Sequence, residues 1–97
     1  MEQTHESAPV EHDARGLRFL MELPGGTAEL AYVPVSDTVL DFYSTWVPPG
    51  ERGRRVAARL VAAALAHARE RGYRIVPSCW YVRRWIDAHP EQQDLIA

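Results

Sequence analysis

Apolar and polar residues alternate from Leu17 to Leu23, which puts Leu17, Phe19, Met21 and Leu23 on one side of an extended segment and Arg18 and Glu22 on the other. Pro24-Gly25-Gly26 then reverses the chain. Ala28, Leu30 and Tyr32 alternate with Glu29 and Val33 in a second strand, so the two segments are expected to pair as a hairpin. Pro34 and Ser36-Asp37 mark the next reversal. A third apolar run, Thr38 to Val47, is rich in β-branched and aromatic residues and must stop at Pro48-Pro49-Gly50, where two prolines remove ladder donors.

From Arg54 the period changes. Val56, Ala57, Leu60, Val61, Ala64, Leu65 and Ala68 recur every three to four residues, which predicts an amphipathic helix of about five turns. Gly72 suits the left-handed residue after a helix, and Arg69 and Arg71 suit its negative end. Tyr73 to Val76 reads as a short strand broken at Pro77, and Trp80 to His89 as a second helix closed by Pro90. The order is βββαβα, an α/β (α+β) arrangement. A crossover helix of this length favours parallel pairing of the third and fourth strands through a right-handed connection, so the sheet is mixed with the helix packed on it.

A chain of 97 residues supports one core, placed here at residues 14–97. Residues 1–13 lack apolar periodicity and hold Glu2, Glu6, Glu11 and Asp13, so they are expected to form a mobile acidic tail. All 11 basic residues are arginine and the net charge is −2, which argues against a surface devoted to nucleic-acid phosphates. Cys79 is the single cysteine and the four histidines are scattered, so disulfide and metal readings fall away. With no long apolar run and no charged-then-apolar leader, a cytosolic protein outside the membrane is expected. Both a monomer and a homodimer are compatible with this length.

The chemistry concentrates in Val47-Pro48-Pro49-Gly50-Glu51-Arg52-Gly53-Arg54-Arg55-Val56-Ala57, which joins a buried strand to a long helix. A helix N-terminus presents unpaired N–H groups and about half a positive charge, so it attracts phosphate. Arg52, Arg54 and Arg55 add planar, permanently charged donors. A solvated arginine cluster would look the same from this stretch alone.

The stretch Arg52-Gly53-Arg54-Arg55-Val56-Ala57 resembles the acetyl-CoA pyrophosphate loop of the GNAT superfamily of N-acetyltransferases, Q/R-x-x-G-x-G/A. Pro77-Ser78-Cys79-Trp80-Tyr81-Val82 and His89-Pro90 are similar to a subgroup of minimal, stand-alone GNAT-like proteins, and the resemblance runs from about Leu17 to Leu95. It implies a sheet in which the third and fourth strands splay apart so that the pantetheine arm of acetyl-CoA pairs with exposed strand backbone, as an extended ligand replacing a missing strand partner. The backbone around Trp46 and Val47 would then bind pantetheine, and the N–H groups of Arg52, Gly53, Arg54, Arg55, Val56 and Ala57 the pyrophosphate.

The chain departs from the pattern in two places. Arg55 occupies the place of the inner glycine; since an ordinary helix start does not require positive φ, it is expected in the right-handed region with its side chain adding a phosphate contact. The alternative is that its bulk alters CoA binding. Ser44-Thr45-Trp46-Val47-Pro48 stands where the minimal GNAT-like proteins commonly read His-Thr-Glu-Val-Pro, so neither a histidine nor a glutamate is present to deprotonate an incoming ammonium.

The resemblance puts Cys79 near the thioester, where a thiol protonates the departing thiolate or accepts acetyl covalently; a buried cysteine used only for packing is the competing reading. Tyr81 is a second candidate acid, with packing among Trp80, Tyr81 and Trp85 as its alternative. His67 and His89 have no evident catalytic partner. The implied activity is transfer of acetyl from acetyl-CoA to a primary amine without a metal, against a non-catalytic acyl-CoA-binding or partner-docking module with a degenerate site.

Overall fold

A computed structural model describes residues 8–97. Its five-stranded sheet follows chain order: β1 (Glu11–Asp13), β2 (Arg18–Leu23), β3 (Gly26–Pro34), β4 (Val39–Trp46) and β5 (Arg74–Val76). The first four pair antiparallel, and β4 pairs with β5 parallel through the crossover helix α1 (Val56–Arg71). A second helix, α2 (Trp80–Asp87), and 3-10 turns at Pro49–Glu51 and Pro90–Leu95 complete the chain. The mixed sheet and crossover expected from the pattern are present. No helix among the described residues is long and apolar enough to cross a membrane.

The core lies between one sheet face and the helices. α1 buries Val56, Leu60, Val61, Ala64, Leu65 and Ala68 against Met21, Leu30 and Phe42, with Ile86 of α2 closing one side. Each fully buried leucine or phenylalanine contributes about 1.5–3 kcal/mol from its removal from water. Ala64 and Ala68, both fully buried, keep the helix close to the strands. The helix ends where predicted: Gly72 has φ +76, and the N–H of Tyr73 donates to Ala68 O at 2.9 Å. Arg69 turns to a two-pronged contact with Asp94 at 2.8 and 2.9 Å, tying the helix end to the C-terminal 3-10 turn.

The expected tail needs correction between residues 8 and 13, while residues 1–7 lie outside the described part. Glu11–Asp13 form β1 on the edge of β2. Side chains distant in sequence supply the anchoring that apolar periodicity does not: His12 stacks on Phe19 at 4.4 Å and its Nε2 lies 2.7 Å from Tyr32 Oη, while Asp13 pairs with Arg18. Arg59 also donates to Ala8 O at 2.6 Å. Leu17 departs from the predicted alternation too; it precedes β2 with φ +56, and its carbonyl accepts the N–H of Tyr32 at 3.0 Å.

His12 faces His67 at 4.4 Å between ring centroids. Burial, first, holds the pKa of both below the ordinary value; their mutual repulsion lowers His12 further, Arg71 lowers both, and Asp13 and Glu70 oppose more weakly. Because the folded state resists protonation, stability is complete above the ordinary histidine value of about 6.5 and is lost as pH falls through the lowered folded values. The thermal midpoint is therefore expected to fall between about pH 7.5 and about pH 5. His67→Gln should flatten that fall; parallel curves for the two proteins would remove the histidine pair as its cause.

Two irregularities position the site. The β3–β4 register shifts between Ala31, which faces Ser44, and Tyr32, which faces Phe42, so Tyr43 is an extra residue in β4. Such a bulge bends its strand. β5 meets β4 at Val39, Leu40 and Asp41, with Ile75 bridging Ile96 on its other side, and the last link between the β4 and β5 chains is the N–H of Cys79 donating to Phe42 O at 2.9 Å. Beyond it, Pro77 has ended β5 and the chains diverge, leaving Tyr43–Trp46 without a ladder partner on that side among the described residues. This is the splay that the resemblance implied.

Candidate functional site

The floor of the site is the loop between β4 and α1. After Pro48 the chain makes a 3-10 turn in which the N–H of Glu51 donates to Pro48 O at 2.9 Å. Glu51 turns inward, only 3% exposed, and its Oε2 accepts the N–H of Gly25 in the β2–β3 turn at 2.7 Å. Arg52 folds back over β4: its Nε donates to Val47 O at 3.0 Å and its guanidinium lies 5.0 Å from the Trp46 ring. Its N–H reaches Pro49 O at 3.4 Å. The side chain of Arg52 thus clamps the strand end to the loop.

Gly53 has φ +81 and Arg55 φ +63, with Arg54 between them outside the positive region. Two positive-φ residues so close together turn the chain sharply, and the loop opens directly onto the first turn of α1. The expectation of a right-handed Arg55 is overturned. Arg55 adopts the conformation for which the motif supplies glycine, because the loop turns sharply into α1 and the carbonyl of Arg55 accepts the first helical bond, from Arg59 N–H at 3.1 Å.

Holding a non-glycine residue there costs about 1–2 kcal/mol. Glycine relieves that strain but gains freedom in the unfolded chain worth about 0.5–1 kcal/mol. Arg55→Gly is therefore expected to raise stability by about 0.5–1 kcal/mol, read as a higher urea midpoint with unchanged slope. A lower midpoint would mean that the Arg55 side chain contributes more than its backbone costs.

Three clefts run in series from this loop along the free edge of β4. The first, about 240 Å³, is lined by Val47, Arg52, Gly53, Arg55 and Ala57 with Tyr81. The second, about 330 Å³, shares Val47, Arg52, Ala57 and Tyr81 and adds Thr45, Trp46, Cys79 and Trp80. The third, about 370 Å³, shares Thr45, Cys79 and Trp80 and extends to Tyr43, Ser44 and Ser78. One groove thus joins the strand edge, the loop and the start of α2. It gathers Trp46, Val47, Arg52, Gly53, Arg55, Val56, Ala57, Cys79 and Tyr81; among the residues singled out from sequence, Arg54 lies outside its lining.

Cys79 sits midway along the groove, 7% exposed, with Sγ 3.3 Å from Thr45 Oγ1. It belongs to the core and to the cleft wall together. Burial pushes the Tyr81 phenol upward, so it remains protonated near neutrality and retains a proton to donate. His89 is stacked on Trp85 at 3.7 Å with its Nδ1 2.7 Å from Trp85 O, and His67 belongs to the His12 cluster; neither lines the groove. The cavity beside that cluster, about 480 Å³ and lined by Tyr32, Arg71 and Tyr73, shares none of the groove residues.

Sequence reasoning passed over Thr45 and Glu51. Thr45 pairs with Leu30 and so shares its core-facing side; a hydroxyl at an inward position of β4 was the available signal. Glu51 stood between glycine and arginine and looked like an ordinary loop charge.

Residues 18–95 match the GCN5-related N-acetyl-transferase family, and the chain belongs to it. Among curated relatives it is 36% identical over 88 residues to Protein NATD1 of Bos taurus and 35% identical to that of Homo sapiens, spanning 89% of this chain and 78% of theirs in each case. Among solved structures it resembles a GCN5-like protein from Staphylococcus aureus determined by NMR, with a TM-score of 0.69 at 22% identity. That likeness covers 92% of this chain and 87% of the other, and it supports the fold.

Proposed function

We propose that this chain binds acetyl-CoA in the groove and moves its acetyl group to a primary amine. The observation that carries the reading is the free edge of β4, which meets a positive-φ loop at one end and a cysteine at the other. The loop backbone from Gly53 to Ala57 and the guanidinium of Arg55 take the pyrophosphate; the β4 edge at Trp46 and Val47 pairs with the amides of pantetheine. A strand N–H near Trp46 steadies the oxyanion as the amine adds to the thioester carbonyl. Cys79, with Tyr81 as the second donor, supplies the proton that the departing thiolate takes up.

Isothermal titration calorimetry of acetyl-CoA and CoA at fixed salt tests the first half of this reading. Binding at micromolar strength, about −8 kcal/mol, is expected, and an absence of heat would overturn it. A second reading is favoured by Ser44 and Trp46, which replace the base-bearing pair of the family pattern. On that reading the domain binds acyl-CoA without catalysis, and binding would be accompanied by neither hydrolysis nor transfer.

A further inference from the structure

We propose that the acceptor is an aromatic amine that is uncharged at neutral pH; the proposal rests on the acetyl-CoA reading above. The third cleft, beyond Cys79, is where an acceptor would approach the thioester. Its lining is made of aromatic rings and hydroxyls: Tyr43 and Trp80 flank it, 49% and 70% exposed, with Ser44, Thr45 and Ser78 between them. Among the described residues, the only carboxylate or imidazole lining any part of the groove is Glu51. That carboxylate is turned under the loop onto Gly25.

An alkyl ammonium would fare badly in this lining. With a pKa near that of lysine, about 10.4, it is neutral in roughly one molecule in a few thousand at pH 7, and it attacks only after losing a proton. The cleft offers neither a counter-charge nor a base, so an ammonium would be desolvated without compensation. Arg52 and Arg55, farther along the same groove, add repulsion. An aniline-type amine has a conjugate acid about as strong as a carboxylic acid and arrives with its lone pair free. Its ring matches the faces of Trp80 and Tyr43, and its N–H groups can donate to the serine hydroxyls.

The step balances without a base of unusual strength. The nitrogen lone pair forms the N–C bond, the C–S bond breaks, and the proton lost by nitrogen is matched by the one gained by the CoA sulfur. The products are an N-aryl acetamide and free CoA, with no change in oxidation state.

The test measures amide formation by mass spectrometry with the full chain, acetyl-CoA and four acceptors: aniline, a ring-substituted aniline, benzylamine and spermidine. Benzylamine has the ring but carries the charge, so it separates the two requirements. Anilines are expected to exceed benzylamine and spermidine by at least about tenfold in kcat/KM, with a rate nearly flat between about pH 6 and about pH 8. Tyr43→Ala, at a residue that lines the third cleft and neither of the other two, should raise the KM for aniline about tenfold and leave the calorimetric affinity for acetyl-CoA unchanged. Equal or better use of benzylamine or spermidine, or acetyl-CoA binding with no aniline acetylated, would overturn the acceptor assignment alone. Absence of acetyl-CoA binding would overturn the parent reading, and this one with it.

Discussion

Cys79→Ala is expected to lower acetyl transfer by about a hundredfold or more, the usual scale for loss of a positioned proton donor, while acetyl-CoA affinity stays within about threefold. Core packing and chemistry have to be told apart, because Cys79 belongs to the core and to the cleft wall together. Removing a small, mostly buried thiol costs about 1 kcal/mol, too little to unfold an ordinary domain. A folded, CoA-binding, inactive variant would therefore place the loss in chemistry. Thr45→Val provides the companion measurement: it keeps the thiol and removes the hydroxyl 3.3 Å from it. An intermediate loss is expected if Thr45 orients Cys79. Unchanged turnover in Cys79→Ala would remove the cysteine from the mechanism and leave Tyr81 as the donor.

The second large effect is expected at Glu51, a residue the family pattern does not single out. Glu51→Ala removes a carboxylate that is 3% exposed and leaves the N–H of Gly25 without its acceptor. A partly buried hydrogen bond to a carboxylate accounts for about 1–2 kcal/mol, which in a domain of this size lowers the thermal midpoint by roughly 5–10 °C. Acetyl-CoA affinity should fall with it, because the 3-10 turn that carries the loop is no longer held to the β2–β3 turn. Gly25→Ala approaches the same contact from the other side: its Cβ would lie 2.8 Å from Glu51 Oε2, so the carboxylate must move. Glu51→Gln, which keeps an acceptor oxygen, is expected to retain most of the stability; a loss equal to that of Glu51→Ala would show that charge matters more than the hydrogen bond.

Both effects arise at positions where local sequence and tertiary contact diverge. The turn from β4 into α1 was legible because its prolines and glycines and the apolar period of the helix are neighbours in sequence. The conformation of Arg55 was not legible, since arginine prefers the right-handed region and only closure of the loop onto α1 forces φ to +63. Cys79 and Tyr81 could be named as candidates. Their partners could not, because Thr45 comes 34 residues before Cys79 and reaches it only when β4 and the start of α2 meet across the splay. Residues 8–13 were misread for a related reason: β1 is three residues held by contacts with Arg18, Phe19 and Tyr32, which lie beyond the following turn or in the next strand.

The sequence by itself determined where α1 ends, the hairpin at Pro24-Gly25-Gly26, the stops at Pro48 and Pro77, and the parallel crossover. These depend on periodicity, on fixed φ and missing donors at proline, and on the left-handed freedom of Gly72, all of which act within a few residues. Only the tertiary structure decided the bulge at Tyr43, the free edge beyond Phe42, the burial of Glu51 and the seat of Cys79. Each of these is a compromise among strands and helices far apart in the chain, where packing the sheet against α1 and α2 outweighs what any single residue prefers on its own.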